Sequence, residues 1–423
     1  MATVVLVGTL DTKGAEYAWL RERLREYGSD TLLVDTGILP PLPPPAQSPA
    51  ADVSADVSAE AVARAAGHDL AKLRAAGERG AAVAAMADGV TEVVLDLHRR
   101  GKLHAVLAAG GSGGSSIAAQ AMRALPIGVP KVLVSTMAGG DVSPYVGSSD
   151  ITLMYSVVDI SGINAVSRQV LGNAAAAASG MARRYERNHD ELAGRGRKVV
   201  AATMFGVTTP AIDAARARLD ELGYEVLVFH ATGSGGRAVE KLASDGLLDG
   251  VLDLTTTELA DELVGGVLSA GPERLTAAGR AGIPQVVAPG ALDMVNFGPE
   301  ATVPQRFRER TLLVHNPTVT LMRTTAEEMA ALGATLGHRL AAARGPVEFF
   351  WPLRGVSAVD AEGGPFRDTA AAEAGLGALR TAVRGSGVRL HEVDAHINDA
   401  GFAVAMAERL DELIGARALR QTP

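Results

Sequence analysis

The chain has 423 residues, of which 47% are hydrophobic and 21% are charged, and its formal net charge is −8. This length exceeds that of an ordinary single domain and is sufficient for two domains with separate cores. The acidic balance excludes the broad positive field that non-specific nucleic-acid binding requires, so we expect no nucleic-acid partner. The absence of cysteine excludes disulfides, thiolate catalysis and cysteine-ligated zinc.

The N-terminal segment gives no sign of export or membrane insertion. Residues 1–8 lack a basic region ahead of their apolar residues, so they read as a strand and not as a signal peptide. No apolar run elsewhere approaches the roughly 20 residues that a membrane-spanning helix needs. We therefore expect a cytoplasmic protein with no membrane partner.

Strands and helices alternate along the first half of the chain. The β-branched apolar run at 3–8 ends in glycine, which is typical of a buried parallel strand that leads into a helix. The proline run at 40–45 predicts a stiff, exposed connector, because it fits neither a helix nor a central strand. The predicted elements of this half are strands 3–8, 31–36, 105–109 and 131–136, helices 14–27 and 162–187, and two or three helices within 59–100.

The same alternation restarts near residue 198. The predicted elements of the second half are strands 198–204, 225–230, 250–254, 285–288, 311–315, 348–353 and 389–393, and helices 209–222, 235–244, 324–343 and 400–416. Strands and helices at this spacing predict parallel, doubly wound sheets. We expect an α/β fold of two Rossmann-like, doubly wound domains with mainly parallel sheets, at residues 1–193 and 194–423. An old duplication would explain why both halves begin alike.

The most distinctive turn follows the predicted strand 105–109, and we call it the glycine-serine loop. Its residues are Gly110, Gly111, Ser112, Gly113, Gly114, Ser115 and Ser116. Glycines let backbone N–H groups approach an anion, and a helix N-terminus adds partial positive charge. The loop lacks the ending of a Walker A motif and the clean spacing of a dinucleotide fingerprint. A tight turn with a serine cap is the alternative, but seven small residues exceed what a turn needs, so we predict a phosphate site.

Two other turns of the first half are predicted to complete this site, because ligands of doubly wound sheets bind at the carboxyl ends of strands. The turn after the first strand offers Thr9, Asp11 and Lys13. Asp11 is a candidate Mg²⁺ ligand and Lys13 a candidate phosphate contact, with helix capping and a solvated lysine as the alternative. The turn after strand 131–136 contributes Gly139 and Gly140, which can close the pocket beside the glycine-serine loop.

A second anion site is predicted after strand 225–230, in a turn that we call the glycine-arginine loop. Its residues are Gly233, Ser234, Gly235, Gly236 and Arg237. The arginine can clamp a phosphate or a carboxylate in a bidentate manner. Pairing of Arg237 with Glu240, about one turn later, is the structural alternative.

Three residues of the second half are candidate acid-base catalysts. His230, Asp293 and His315 each follow a presumed strand, where catalytic groups of such folds are found. The segment 391–399 is the one cluster of histidines and acids, but its two histidines fall on opposite faces of a strand. No serine lies in a nucleophile elbow with the right flanking elements.

Ordered motifs along essentially the whole chain carry a family resemblance. They are the glycine-serine loop and the segments 8–13 (GTLDTK), 156–164 (SVVDISGIN), 229–237 (FHATGSGGR), 290–296 (GALDMVN), 315–317 (HNP), 322–325 (MRTT), 353–357 (LRGVS) and 396–399 (HIND). With them the sequence resembles the ATP-binding-domain family typified by the N-terminal half of the tomato mosaic virus resistance protein. The resemblance implies two Rossmann-like subdomains, nucleotide binding and a homodimer, and it supplies no catalytic activity.

These observations predict a nucleotide-binding protein, with ATP as the ligand and Mg²⁺ as a possible companion. Two extensions stay open: an enzyme that acts on a phosphorylated or carboxylated metabolite in an interdomain cleft, and a non-catalytic homodimer that senses nucleotide or binds a partner. A dinucleotide-dependent dehydrogenase is a further alternative. It would use Asp35 at the end of the second strand, but the first turn lacks the glycine fingerprint.

Overall fold

The computed structural model describes residues 1–39, 54–193 and 196–421, so the predicted proline-rich connector at 40–45 lies outside the described residues. Its contacts divide the chain into two compact units, Met1–Arg195 (unit 1) and Gly196–Pro423 (unit 2). This division lies two residues after the one predicted from the sequence, which follows residue 193. No helix in the described ranges is long and apolar enough to cross a membrane.

Unit 1 contains a five-stranded parallel sheet in the order β2-β1-β3-β4-β5. Its strands are β1 (Thr3–Gly8), β2 (Asp30–Asp35), β3 (Ala105–Gly110), β4 (Lys131–Ser135) and β5 (Thr152–Tyr155). Its helices are α1 (Leu10–Glu26), α2 (Ala59–Ala65), α3 (Leu70–Ala76), α4 (Arg79–Arg99), α5 (Ser112–Ala124), α6 (Ser143–Val146) and α7 (Ala165–Ala193). The central strands β3 and β4 are buried at every residue, which explains the apolar sequence of β3 and the apolar centre of β4 between Lys131 and Ser135.

Helices cover both faces of this sheet. Successive side chains of β1 alternate between two cores, with Val5 and Val7 in one and Val4 and Leu6 in the other. The first core includes residues of α4 and α5, and the second includes residues of α1 and α7. A parallel sheet with helices on both faces makes unit 1 Rossmann-like.

Unit 2 contains a six-stranded parallel sheet in the order β14-β13-β9-β8-β6-β7 and a three-stranded antiparallel sheet in the order β10-β12-β11. Its strands are β6 (Val199–Met204), β7 (Glu225–His230), β8 (Gly250–Thr255), β9 (Gln285–Gly290), β10 (Met294–Phe297), β11 (Leu312–Asn316), β12 (Val319–Arg323), β13 (Val347–Pro352) and β14 (Arg389–Val393). Its helices are α8 (Thr209–Glu221), α9 (Ser234–Ser244), α10 (Glu258–Val264), α11 (Ala277–Arg280), α12 (Ala326–Ala341), α13 (Thr369–Val383) and α14 (Ala400–Gln421).

The two units share a topology. Counted along the chain, the strands of the main sheet lie in the order 2-1-3-4-5 in unit 1 and 2-1-3-4-5-6 in unit 2. Each order reverses between its first and third strands, which makes that position the topological switch point. The predicted fold class, two Rossmann-like units with mainly parallel sheets, is confirmed.

Some elements differ from the sequence prediction. The edge strand β5 has only four residues, none of them fully buried, which is too short for a clear periodic signal. The predicted strand 311–315 does not join the main sheet; as β11 it pairs antiparallel with β12, and β10 pairs with the other edge of β12. The sequence also missed β10, β12 and helix α13 (Thr369–Val383).

Candidate functional site

The carboxyl ends of β1 and β3 form the switch point of unit 1. Their strand pairing ends at Val7 and Ala108. Beyond that point the hydroxyl of Tyr17 lies 2.6 Å from the carbonyl oxygen of Val7 and accepts a hydrogen bond of 2.8 Å from the N–H of Ala109. A Cβ on Gly8 would lie 2.0 Å from the Tyr17 ring, so this glycine makes room for the ring. Tyr17 thus joins the two strands where they separate, at the position where doubly wound folds bind ligands.

The glycine-serine loop leads from β3 into α5 at this switch point. Gly110 is the last residue of β3, Gly111 is the N-cap of α5, and the helix begins at Ser112. No side chain of residues 1–39, 54–193 or 196–421 caps this helix end. The N–H groups of the first helical turn are therefore left for solvent or for a ligand.

The three serines of the loop have different environments. Ser112 and Ser116 are exposed. Ser115 is fully buried, and its hydroxyl lies 3.2 Å from the carbonyl oxygen of Gly110 and 2.7 Å from the hydroxyl of Ser135. Ser115 therefore links the end of β3 to the end of β4. Of the three serines, Ser112 and Ser116 are the ones accessible for the predicted contact with a phosphate.

Contacts with the residues that the structure describes do not explain three glycines of the loop. A Cβ added to Gly111 or Gly113 would come no closer than 3.8 Å to a surrounding atom, and one added to Gly114 no closer than 4.0 Å. None of the three has a positive φ. Gly110 differs, because its Cβ would lie 3.2 Å from the Cα of Gly114. Glycine weakens a helix relative to alanine, so the three open glycines reduce the stability of α5 without a steric need in the described part of the chain.

Three polar side chains surround these glycines. Thr9 Oγ1, Thr136 Oγ1 and Arg79 Nη2 each lie within 4.0 Å of the Cβ position of one of them. Arg79 is exposed at the first position of α4 and makes no ion pair in the described part of the chain. The sequence analysis missed Arg79, which is distant from the loop in the chain, whereas Thr136 lies in the turn after β4 that was predicted to close the pocket. An arginine at the positive end of a helix is electrostatically unfavourable, and this feature of the sequence could have indicated Arg79 as a site residue.

Asp11 and Lys13 have partners within the protein. Asp11 is 8% exposed, and its Oδ2 accepts hydrogen bonds of 2.9 Å from the N–H groups of Ile38 and Leu39. Its Oδ1 is buried without a hydrogen-bond partner in the described ranges. Lys13 donates to the carbonyl oxygen of Ile160. Asp11 thus holds the turn after β2, and no group of three metal-ligating side chains occurs among the described residues, so Mg²⁺ at Asp11 stays a prediction.

Asp35 is also used by the backbone around it. Its Oδ1 accepts hydrogen bonds from the N–H groups of Leu10 at 3.1 Å and Gly37 at 2.7 Å. Burial raises the pKa of Asp35, and the neighbouring Asp11 carboxylate adds to this shift. The two acids fix the turns after β1 and β2 to each other, which is a structural role.

The turn after β4 lies beside the glycine-serine loop. It begins at Ser135, whose hydroxyl accepts a hydrogen bond of 3.0 Å from the N–H of Met137. Gly139 makes room for an aromatic ring, because its Cβ would lie 3.3 Å from Cε2 of Tyr155. Gly140 ends the turn with a hydrogen bond of 3.2 Å to the carbonyl oxygen of Met137. The two predicted glycines therefore end the turn that follows β4, and Gly139 packs against Tyr155 at the end of β5.

In unit 2 the glycine-arginine loop holds an internal anion. Glu258 Oε1 accepts hydrogen bonds from the N–H groups of Gly233 at 2.6 Å and Gly236 at 3.0 Å. A Cβ on Gly236 would lie 2.1 Å from Glu258 Oε2. Arg237 donates to the carbonyl oxygen of Ser269. An external anion at this loop would have to displace Glu258, so the glycines here are explained by internal packing and not by the expected second anion site.

Glu258 belongs to a buried ion network around Arg274. The guanidinium donates to both carboxylate oxygens of Asp253, at 2.5 and 2.6 Å, and to Glu258 Oε2 at 2.7 Å. Burial opposes the charge of Arg274, but the carboxylates of Asp253 and Glu258 outweigh it and raise the arginine pKa well above its ordinary value. The network thus pairs the Glu258 carboxylate with Arg274 while the same carboxylate accepts the loop N–H groups at the N-terminus of α9.

The three candidate catalysts do not share one site. His230 is exposed at the end of the edge strand β7, and His315 is exposed in β11. Asp293 is fully buried, and its Oδ2 accepts a hydrogen bond of 2.7 Å from the hydroxyl of Ser357. The register of the antiparallel sheet separates Asp293 from His315 by about four residues along the strands, or roughly 14 Å. The expected catalytic trio is therefore not assembled.

Relatives of similar length match nearly the whole chain. The UPF0261 proteins of Clostridium tetani and Rhizobium meliloti are each 47% identical to it, over 407 and 408 residues; both alignments cover 96% of this chain, and 98% and 97% of those proteins. The ToMV resistance protein Tm-1(GCR237) of Solanum lycopersicum is 44% identical over 337 residues, which are 79% of this chain and 45% of that protein. A solved spinosyn rhamnosyltransferase complexed with thymidine diphosphate covers 98% of this chain and 96% of its own at 15% identity, but its TM-score of 0.21 carries no argument.

Two protein-family models also match, one to each unit. The N-terminal domain of the Uncharacterised protein family (UPF0261) matches residues 2–187, and the C-terminal domain of the same family matches residues 197–414. Both matches, and the identity to the full-length bacterial relatives, agree on one assignment. The chain belongs to the UPF0261 family.

Proposed function

We propose that unit 1 binds a phosphorylated small molecule, with ATP as the first candidate, and that the phosphates lie at the N-terminus of α5. The observation that carries this proposal is the open space at Gly111, Gly113 and Gly114. A glycine that no neighbour requires, at an uncapped helix N-terminus, fits the close approach of a phosphate to backbone N–H groups.

The glycine-arginine loop of unit 2 provides an internal comparison. It occupies the turn into α9, at the end of a different strand but with a similar sequence. There the Glu258 carboxylate accepts the loop N–H groups, and the glycine positions are filled by protein atoms. The glycine-serine loop has the same kind of donors without an acceptor among the described residues, which supports an external anion in unit 1.

The charge next to the glycine-serine loop also favours an anion. Arg79 is exposed, lacks an ion pair in the described part of the chain and stands at the positive end of α4. A phosphate would relieve this repulsion and accept charge-assisted hydrogen bonds from the guanidinium. The hydroxyl groups of Thr9 and Thr136 can add neutral hydrogen bonds.

ATP is the first candidate because of the family resemblance in the sequence motifs. Mg²⁺ binds nucleotides mainly through the phosphate oxygens and keeps several waters, so its binding does not require Asp11 as a direct ligand. The proposal stops at binding, because His230, Asp293 and His315 do not share a site. The name of the tomato relative describes virus resistance, and that role is not part of this proposal.

The test places a carboxylate where the phosphate is expected. Gly111 has the extended backbone of an N-cap (φ −80°, ψ −163°) and open space for a side chain. In Gly111→Asp the new carboxylate should accept hydrogen bonds from the first turn of α5, as Glu258 does at α9. Thermal-shift and calorimetric titrations with ATP, ADP and pyrophosphate, with and without Mg²⁺, then measure binding. A ligand at about 100 times its Kd should stabilise the wild type by about 2.7 kcal/mol.

The matched control is Gly111→Ala, which fills the same space with a neutral methyl group. We expect Gly111→Asp to fold with unchanged or higher stability and to lose at least tenfold in affinity for ATP, while Gly111→Ala loses less. Full affinity in Gly111→Asp would place the phosphate elsewhere. No binding of any of these probes to the wild type would refute the proposed function.

A further inference from the structure

We propose that Tyr155 and Met137 form a platform on which a planar heteroaromatic ring of the ligand stacks, while its phosphates lie at the N-terminus of α5. This inference rests on the proposed function and narrows it, because it selects a nucleotide over a phosphorylated compound without a ring. The platform belongs to the ends of β4 and β5, which the phosphate contacts leave unused.

The strand register places the platform at a fixed distance from the glycine-serine loop. Gly110 pairs with Ser135, and Ser135 pairs with Tyr155, so the last residues of β3, β4 and β5 lie side by side. Neighbouring strands are about 4.8 Å apart, which puts Tyr155 about 10 Å from Gly110 along this edge. A ligand that reaches both positions needs a spacer between its phosphate and its ring, as a ribose provides.

The two side chains of the platform are apolar and open to solvent. Tyr155 is 48% exposed and Met137 is 41% exposed, although both lie in a unit that buries most of its large apolar side chains. The Tyr155 ring packs against the backbone of Gly139, 3.3 Å from the position of a Cβ there. A side chain at this glycine would displace the ring, so Gly139 maintains the position of Tyr155 next to the turn that carries Met137.

The backbone after Tyr155 is strained at an exposed residue. The N–H of Val158 donates a hydrogen bond of 2.7 Å to the carbonyl oxygen of Ser156, which closes a three-residue turn around Val157. Val157 has φ +65° and is 60% exposed. This is the rarer and strained form of the γ-turn, and a β-branched residue adopts it least readily. Strain of this kind concentrates at ligand sites, and here it leaves a further apolar side chain exposed two residues after Tyr155.

These groups have the chemistry of a stacking site. A tyrosine ring binds the face of a nucleobase, and a methionine thioether makes favourable contacts with aromatic rings. Stacking of a base on an aromatic side chain tolerates any base, so the platform by itself does not select one nucleobase over another. Phosphate held at α5 and a ring held at Tyr155 would together bind a nucleotide along the carboxyl edge of β3, β4 and β5.

The test separates the ring from the phosphates. Calorimetric titrations of the full chain with ADP and with pyrophosphate compare the wild type, Tyr155→Ala and the matched control Tyr155→Phe. Tyr155→Ala should weaken ADP binding between about 5-fold and about 100-fold and leave pyrophosphate binding unchanged. Tyr155→Phe keeps the ring and should bind both probes like the wild type. Since Tyr155 is half exposed at a strand end, both variants should fold, which circular dichroism checks.

Each outcome decides the proposal. If Tyr155→Ala loses affinity for ADP and keeps its affinity for pyrophosphate, the result supports the platform. Unchanged ADP affinity in that variant, or an equal loss for ADP and pyrophosphate, overturns the platform and leaves the phosphate site standing. If the wild type binds neither probe, the proposed function fails, and the platform fails with it.

Discussion

Replacing the open glycines of α5 should stabilise the protein and weaken its binding to phosphate. Gly113 and Gly114 lie in the first turn of α5, have no positive φ and leave room for a Cβ. A glycine-to-alanine change at a compatible position stabilises a protein by about 0.4–1 kcal/mol, chiefly by restricting the unfolded chain. The double variant Gly113→Ala/Gly114→Ala should therefore raise the unfolding free energy of unit 1 by about 1–2 kcal/mol. The added methyl groups occupy the space assigned to the phosphate, so affinity for pyrophosphate should fall at least tenfold.

The chain offers a fluorescence reporter for unit 1. It contains two tryptophans, Trp19 in α1 of unit 1 and Trp351 in β13 of unit 2. In a Trp351→Phe background, urea unfolding monitored by tryptophan fluorescence follows unit 1 alone, so the two units need not unfold together. The midpoint of the double variant is compared with that of its parent, and pyrophosphate affinity is measured by calorimetry on the same samples.

Gly110→Ala is the control for the direction of the change in unfolding free energy. Its Cβ would lie 3.2 Å from the Cα of Gly114, so backbone must shift, and this variant should be less stable than its parent. A double variant that is more stable and still binds pyrophosphate at full affinity would refute the reasoning. Ligand binding would then not explain why the wild type has glycine at these two positions. A double variant less stable than its parent would contradict the open geometry of the loop.

Three further changes test other parts of the molecule. Val157→Gly should relieve the strained turn and raise the unfolding free energy of unit 1 by about 1 kcal/mol, as measured by urea unfolding; a loss of stability would contradict the strain. Glu258→Gln removes a charge paired with the buried Arg274 and should destabilise unit 2 by about 3 kcal/mol or more, whereas the exposed Glu225→Gln should change stability by less than about 0.5 kcal/mol; equal effects would rule out a role for the network. Burial, aided by the charge of Asp360, raises the pKa of Asp293 to about 7, so its contribution to stability is complete below about pH 4 and is lost as the pH rises through 7. Unfolding of unit 2 between pH 5 and 8 should therefore depend less on pH in Asp293→Asn, and an unchanged slope would count against the raised pKa.

The sequence by itself determined the fold class and the place of the glycine-serine loop. Buried parallel strands are largely apolar runs, and this local signal located β1 and β3, which end in glycine, and β4, whose apolar centre lies between Lys131 and Ser135. The glycine-serine loop was visible for the same reason, since its composition and its position between a strand and a helix are both local. The short edge strand β5 and the antiparallel strands β10 and β12 were missed, because their stability comes from pairing with partners and not from a periodic pattern of their own.

Only the tertiary structure decided which of the two glycine-rich loops is open to a ligand. The two loops have similar compositions. No local pattern indicates that Glu258 accepts hydrogen bonds from one of them, while the donors of the other lie beside Arg79 without an acceptor among the residues described. The same holds for His230, Asp293 and His315, which follow strands in the sequence but lie in different environments. Contacts between residues far apart in the chain set burial, hydrogen-bond partners and open space, and these quantities distinguish a site that can receive a ligand from a turn that the protein has already filled.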